Sequence, residues 1–272
     1  MKVSVIGLGF VGSAMFESFK QKKVKQLNGY DKFKKIGSLE SCLDSDIAFL
    51  ALPTPYRESV SEYDKSAIFE TLSFFSLNGF KGLVVLKSTV EPETTANFSK
   101  EFTNLSIVHN PEFLTERTAF EDFDNQSHVV LGAGPSCEEY QLNYAIDFYS
   151  KYYPNAKLSV CSSTESESMK IFANSFYSVK VQFFNEVYLL CSAMGCDYET
   201  VKDLMLANDW INPMHTQVPG PDGMLSYGGS CFPKDTNALL KYMKKHATPS
   251  RVLEATILER NEMRPDQTNI IK

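Results

Sequence analysis

Lys2-Val3-Ser4-Val5-Ile6-Gly7-Leu8-Gly9-Phe10-Val11-Gly12 stands at the start of the chain and decides how the first half is read. Val3, Val5 and Ile6 make a short apolar run that ends on glycine, the pattern of a buried strand. Gly7-x-Gly9-x-x-Gly12 then leads directly into a helical stretch. In a strand-turn-helix the first glycine permits the tight turn. The second lets a pyrophosphate approach the backbone, and the third allows helix to pack on strand, so that the helix N-terminal amides face the phosphates. Phe10 and Val11 complete the turn. Asp31 ends the second strand 19 residues past Gly12, where a carboxylate can accept hydrogen bonds from ribose hydroxyls. An acid there repels a 2′-phosphate and favours NAD, while Lys32, Lys34 and Lys35 keep NADP open.

Working outward, apolar or β-branched runs recur at Lys2 to Ile6, Leu27 to Tyr30, Ile47 to Leu52, Leu83 to Lys87, Leu105 to Val108 and His128 to Leu131. Continuously apolar strands are buried on both faces, so the reading is α/β: a Rossmann-like, doubly wound, mostly parallel sheet covered by helices. After Ser162 the pattern changes. Thr164 and Glu167 match a capping box. An apolar stripe at steps of three and four then runs through Met169, Phe172, Phe176, Val179, Phe183, Val187, Leu190 and Met194, which predicts one long helix with Phe172 and Phe176 in the core. Further helices are expected over Tyr198 to Ala207, Lys234 to Lys244 and Ser250 to Asn261, with a Pro- and Gly-rich loop from Pro213 to Gly229. The predicted domains are residues 1–162, binding the cofactor, and residues 163–272, all-helical.

Composition excludes several classes. With 272 residues, 43% hydrophobic, the chain can bury a real core. A net charge of −6 and no long basic run argue against nucleic acid as a partner. A strand at the very start leaves no room for a signal peptide, and no apolar stretch is long enough to span a bilayer, so a soluble, cytoplasmic protein is expected. The six cysteines form no CxxC pair and no zinc-type spacing with histidine, which predicts neither a disulfide scaffold nor a metal site.

One cysteine stands apart. Cys231 lies in Gly228-Gly229-Ser230-Cys231-Phe232-Pro233-Lys234-Asp235. Two glycines let the backbone pass close to a ligand, and a following lysine and aspartate can tune a thiol and position a water. An alcohol loses hydride to a nicotinamide to become an aldehyde, but an aldehyde needs a tetrahedral adduct before it loses a second, and a thiolate can supply it. Lys234 and Lys170 are candidate cations to favour the thiolate, and the start of the helix at Pro233 adds a favourable dipole.

Ala51-Leu52-Pro53-Thr54-Pro55, Lys87-Ser88-Thr89-Val90 and Asn110-Pro111-Glu112-Phe113-Leu114-Thr115-Glu116 follow the third, fourth and fifth strands, at the carboxyl ends where such sheets build their sites. Together with Lys170-Ile171-Phe172-Ala173-Asn174 and the cysteine octapeptide, these segments resemble the UDP-glucose/GDP-mannose dehydrogenases, in the family's order and over nearly the whole chain. The resemblance is closest to the UDP-glucose 6-dehydrogenases. It implies oxidation of a sugar C6 alcohol to the acid for polysaccharide biosynthesis, with two NAD reduced, and a homodimer built on the long helix over residues 165–194. It makes Cys231 the nucleophile. Lys170 would hold the oxyanion or act as acid and base, Asn174 would bind a sugar oxygen, and Asp235 with Thr89 would hold the hydrolytic water. Glu112 becomes the acid/base for thioester hydrolysis and Glu116 a contact to cofactor or substrate. Pro53, Thr54, Ser88, Thr89 and Lys234 join the cofactor site, and Phe113, Leu114, Tyr227 and Gly228 the sugar site.

Some features depart from the family. The sequence ends at Lys272, where the family continues into a C-terminal nucleotide-sugar domain, so part of the nucleotide pocket is expected to be missing or supplied by another chain. The stretch from Asp31 to Ser38 is short, and Arg117 stands where a small residue is usual. No arginine lies between Arg117 and Arg251. The family's substrate-contacting arginine therefore has no counterpart, and Trp210 or His215 falls near its place. Two other readings stay open: a single-step hydroxy-acid-type dehydrogenase, which would not need Cys231, and a non-catalytic NAD-binding dimeric subunit.

Overall fold

Burial on both faces is what the apolar strands require, and the computed structural model, which describes residues 1–60, 62–264 and 270–271, supplies it. In chain order the elements begin with β1 (Lys2–Ile6), α1 (Phe10–Gln21), β2 (Gln26–Tyr30), β3 (Ile47–Leu50), β4 (Tyr56–Arg57), β5 (Glu62–Tyr63), α2 (Ser66–Leu77) and β6 (Leu83–Leu86). Next come α3 (Thr94–Glu101), β7 (Ser106–His109), α4 (Ala119–Asp124), β8 (His128–Ala133), α5 (Glu139–Tyr152) and β9 (Lys157–Ser162). The last are α6 (Ser163–Met194), α7 (Tyr198–Leu206), α8 (Phe232–Lys245), α9 (Arg251–Met263) and β10 (Ile270–Ile271).

The chain divides into two compact units, residues 1–54 with 64–170, and residues 55–63 with 171–272. The first is a seven-stranded sheet in the order β2-β1-β3-β6-β7-β8-β9. Every pairing is parallel except β7 with β8. β3 and β6 are buried at every residue, because one face packs Phe19, Phe123, Phe148 and Tyr149 and the other Ile68, Leu72, Phe75 and Phe98. Strand order reverses where β1 meets β3, the crevice where open α/β sheets bind ligands. Six of the seven strands were legible in the sequence. β9 was not, since it is an edge strand with half-exposed residues and no continuous apolar run.

The compact unit that holds the sheet runs on past Ser162, to residue 170. The first turn of α6 packs on the sheet: Ser166 Oγ meets His109 Nδ1 at 2.8 Å, and a Cβ at Gly132 would come within 2.4 Å of the Ser166 Cβ. The capping box is also two residues earlier than read, since Glu165 accepts from the Ser162 amide at 2.8 Å and hydroxyl at 2.7 Å. Two overlapping S/T-x-x-E matches occur here, and the residue at the true helix start takes the role. Glu167 instead points inward with none of its surface exposed and accepts the Thr95 amide at 2.7 Å, serving the first turn of α3.

The second unit is not all-helical. Beside the greater part of α6 with α7, α8 and α9 it holds a small sheet in the order β10-β4-β5. Strands of two residues are too short to leave an alternation in the sequence. Tyr56 and Tyr63 from this sheet join Ile171, Leu239, Leu253 and Ile257 in one core, while Phe184, Cys191, Tyr198 and Val218 form another. Phe172 and Phe176, expected in the core, are 51% and 64% exposed. The stripe that predicted the helix is largely its outer face, for Phe183, Leu190 and Met194 are exposed as well, while Asn174, Ser178, Gln182 and Asn185 are buried.

Burial raises the Glu167 carboxyl from 4.5 to about 7, against the pull of the Thr95 and Glu93 backbone amides. A group with a raised folded-state pKa contributes stability below the unfolded value and loses it as pH rises through the folded one. Glu167→Gln should therefore abolish a loss of up to about 3 kcal/mol between pH 4.5 and 7. Urea midpoints at pH 4.5 and 8 should move closer together in the variant than in the parent.

Candidate functional site

The glycine turn is shaped for a ligand at one position only. Gly7 has φ +86°, and a Cβ on it would lie 2.5 Å from the Ala51 carbonyl oxygen at the head of the β1–β3 crevice. At Gly12 a Cβ would meet the Gly7 carbonyl oxygen at 1.8 Å, so helix and turn touch there. Gly9 has nothing within 4 Å, and its open side is where a pyrophosphate can reach the amides at the start of α1. Phe10 is partly exposed at the first turn and Val11 half-buried behind it.

Asp31 braces this turn. Its Oδ2 accepts the Leu8 amide at 2.8 Å, and its Oδ1 accepts the Lys34 amide at 2.8 Å and the Phe33 amide at 3.0 Å. Burial pushes the carboxyl up, but those amides and the Lys34 charge outweigh it and hold it below the usual carboxylate range. The ammonium of Lys34, one of the lysines that left NADP open, donates to the Leu8 carbonyl. The residues thus fit a dinucleotide: an open glycine, a helix N-terminus and an ionised carboxylate at the end of β2.

Loops after the next strands are tied to one another. Ser88 Oγ donates to the Leu52 carbonyl at 2.7 Å and accepts its amide at 3.1 Å, and Thr54 Oγ1 donates to the Thr89 carbonyl at 2.8 Å. Pro53 is exposed and Thr89 half-buried between these ties. After β7, Glu112 Oε2 accepts the Leu114 amide at 2.6 Å and its Oε1 lies 3.2 Å from Lys170 Nζ, both side chains being at least nine-tenths buried. Lys170 also lies 5.4 Å from the centre of the Phe113 ring, which is 45% exposed. Leu114 is half-buried beside them. The Glu116 side chain lies outside the described parts.

Lys87 was quoted in the sequence only as a member of its segment. Its side chain is buried, and Nζ donates to Asn110 Oδ1 at 2.9 Å and to the Pro111 carbonyl at 3.3 Å. Asn110 also accepts from Tyr149 at 2.5 Å and donates to the Val130 carbonyl at 2.7 Å. Burial lowers the Lys87 ammonium to about 7, with Glu112 pulling it up and Lys170 pushing it down. It thereby anchors the two residues before Glu112. A lysine at a strand end normally reads as solvated, and only tertiary packing reveals otherwise.

The second unit centres on Asp235, none of whose surface is exposed. Its Oδ2 accepts from Asn174 Nδ2 at 2.6 Å, and its Oδ1 accepts from Lys234 Nζ at 2.6 Å and Tyr63 OH at 2.5 Å. Lys234 Nζ lies 4.5 Å from the centre of the Tyr63 ring. Lys234 is therefore committed to its neighbour and to Tyr63, which sequence reasoning missed because it comes from a distant two-residue strand. Cys231 sits half-buried at the N-cap of α8, its carbonyl accepting the Asp235 amide at 3.0 Å. Its Sγ lies 3.6 Å from Ser230 Oγ. The thiol stands at the positive end of the helix dipole, a setting that favours a thiolate.

The two glycines before it differ. Gly229 has φ +74° and nothing within 4 Å, whereas a Cβ on Gly228 would meet the Arg264 guanidinium at 2.4 Å. Tyr227 is buried, with its carbonyl accepting Arg260 Nε at 3.0 Å. Trp210 is 88% exposed, and His215 makes a tilted ring contact with Tyr177 and an edge contact with Phe232. Among the described residues no group of three His, Cys, Asp or Glu could hold a metal, and no helix is long and apolar enough to cross a membrane. Gly12→Ala should cost on the order of 1–3 kcal/mol by overpacking and lower NAD affinity as well. Gly9→Ala should leave the urea midpoint in place and weaken NAD alone, which calorimetric titration of both variants checks.

Residues 14–152 match the family model described as the NAD binding domain of the UDP-glucose/GDP-mannose dehydrogenase family, and residues 164–262 match that of its central domain. A UDP-glucose 6-dehydrogenase from Rhizobium meliloti is 33% identical over 78% of this chain and 49% of its own length. One from Campylobacter jejuni is 28% identical over 97% of this chain and 72% of its own. The chain thus spans about half the length of the first of these relatives. A solved UDP-glucose dehydrogenase from Pyrobaculum islandicum superposes with a TM-score of 0.82 at 26% identity, over 96% of this chain and 68% of that one. With a glycine turn open only at Gly9, a thiol at the head of α8 and both domain models matched in order, the chain belongs to the UDP-glucose/GDP-mannose dehydrogenase family and carries that family's NAD-binding domain.

Proposed function

We propose that this chain oxidises the C6 alcohol of a nucleotide sugar to the acid, with UDP-glucose to UDP-glucuronate as the default reaction and two NAD reduced per sugar. The observation that carries this reading is the Asp235 hub one helical turn from the Cys231 thiol, with Asn174 and Lys234 both fixed on it. A one-step alcohol dehydrogenase has no use for a thiol at a helix N-terminus. NAD, held by the turn at Gly7, Gly9 and Gly12 with Asp31, would supply the hydride acceptor.

The protein's part follows from its residues. The Cys231 thiolate adds to the aldehyde carbon, forming a C–S bond as the carbonyl electrons move onto oxygen, and the resulting thiohemiacetal is oxidised to a thioester. Lys170, its own side chain buried beside Glu112, is the donor for that oxyanion. Glu112, next to Lys170, takes a proton from the water that attacks the thioester, and Cys231 leaves as the thiolate. Asp235 orients the Asn174 amide toward a sugar oxygen and helps to place the water with Thr89. Lys234 serves chiefly to hold the Asp235 carboxylate in place through its hydrogen bond.

The exposed stripe of Phe172, Phe176, Phe183, Leu190 and Met194 supports a homodimer built on α6, since so continuous an apolar face on a globular chain marks an interaction surface. Shape complementarity of a helix with its own copy makes a two-fold pair the simplest cover. We place the protein in the cytoplasm.

Two NADH should form per UDP-glucose in the parent, and Cys231→Ser should lose overall turnover while its NAD affinity stays unchanged. Equal NADH yields from parent and variant would sink the covalent route. Light scattering should report about twice the chain mass of 30.6 kDa for the parent. Phe172→Glu with Phe176→Glu should bring it down to a single chain, and a parent that is already monomeric would rule the dimer out.

A further inference from the structure

The loop that delivers Cys231 is gripped from two sides within the second unit. From α6, Asn185 Oδ1 accepts the Ser226 amide at 2.8 Å, and Gln182 Oε1 accepts the Ser226 hydroxyl at 2.6 Å. Ser226 has φ +58°, a left-handed conformation that a serine adopts only when its surroundings hold it there. From the end of α9, Arg260 Nε donates to the Tyr227 carbonyl at 3.0 Å, with its guanidinium 5.8 Å from the centre of the Tyr227 ring. Arg264 Nη1 reaches the Ser226 carbonyl at 3.5 Å, its Nη2 is paired with Asp222, and Arg260 Nη1 donates to the Arg264 carbonyl at 3.2 Å. Both arginines are buried. The Arg264 hydrogen bond holds the Asp222 carboxyl below its usual range, so the pair is charged at neutral pH.

Gly228 lies in the middle of this grip. Its missing side chain leaves room for Cζ, Nη2 and Nε of Arg264, all within 2.8 Å of where a Cβ would stand. The far end of an arginine is ordinarily flexible enough to yield. Here the guanidinium is buried and paired with Asp222, whose carboxylate is half-exposed, so moving it breaks that ion pair and the bond to the Ser226 carbonyl. A Cβ on Gly229, by contrast, would meet no atom of the described residues within 4 Å. The two adjacent glycines therefore differ, and it is the first that admits an arginine.

We infer that Arg264, supported by Arg260, is a positioning residue that fixes the backbone of Tyr227–Gly229 and through it the place of the Cys231 thiol, and that Gly228 is glycine because of that guanidinium. This rests on Cys231 being the reacting thiol, so the test needs one readout that turnover does not enter. A small displacement of a reacting group suffices to slow chemistry by orders of magnitude.

The experiment is a double-mutant cycle on the full chain with Gly228→Ala, Arg264→Ala and both together. It is read by the rate of Cys231 alkylation with iodoacetamide, followed by peptide mass spectrometry, and by kcat with the nucleotide sugar. Each single variant should change the alkylation rate and lower kcat on the order of tenfold or more. KM for NAD should stay constant. The double variant should be no worse than Arg264→Ala, because a methyl at 228 then occupies vacated space. Effects that multiply in the double variant, or an unchanged alkylation rate in Gly228→Ala, would overturn the proposal. If Arg264→Ala does not fold, Arg264→Lys keeps the charge without the fork. It should still lower kcat with an unchanged urea midpoint, and parental kcat in that variant would likewise refute the idea. Should alkylation follow the cycle while Cys231→Ser retains full turnover, the positioning holds and the covalent route falls.

Discussion

A hydrogen-bonding group taken out of water must find a partner, and on the inner face of α6 that rule organises the whole second unit. Asn174, Ser178, Gln182 and Asn185 follow one another at helical spacing and are all buried. Asn174 holds Asp235, and Gln182 and Asn185 hold Ser226, so one ladder of amides fixes both the start of α8 and the loop that leads to it. An apolar inner face would bury as well but would leave these segments without directional ties. The cost is that Phe172, Phe176 and Phe183 are turned outward.

Charge follows the same economy in each unit. Glu112 with Lys170, and Asp235 with Lys234, are buried opposite charges in contact, and each pair has further hydrogen bonds on the carboxylate. Such pairs contribute little net stability over apolar replacements, yet removing one member leaves an uncompensated charge. Their value lies in keeping ionised groups in dry surroundings, where a cation or carboxylate acts strongly on a reacting atom. Lys87 is the exception, a buried cation whose two nearest partners are a side-chain amide and a main-chain carbonyl.

How much of this was legible depends on whether the determinant was local. The shape of the glycine turn was legible, because the tight turn at Gly7 and the close helix contact at Gly12 are dictated by a few consecutive residues. The long helix was found from its stripe, but periodicity reports only that one face is apolar, not which way it points. Phe172 and Phe176 were therefore assigned inward when they face out. Ser162 and Thr164 each offered a capping box, and only the packed helix start chose between them. Tyr63, Lys87 and Arg264 act through partners dozens of residues away, so no local pattern could mark them. The family resemblance supplied the roles of Cys231 and its neighbours, and the coordinates supplied their hydrogen-bond partners.

The outward stripe on α6 also bears on how the folded chain responds to its own abundance. Any surface that covers those phenylalanines binds the folded form and not the unfolded one, so its binding free energy is added to the folding equilibrium by mass action. A face of this kind turns stability into a property of the solution as well as of the molecule. With a second copy as that surface, dilution alone would loosen the fold, with no residue changed and no contact inside the chain lost.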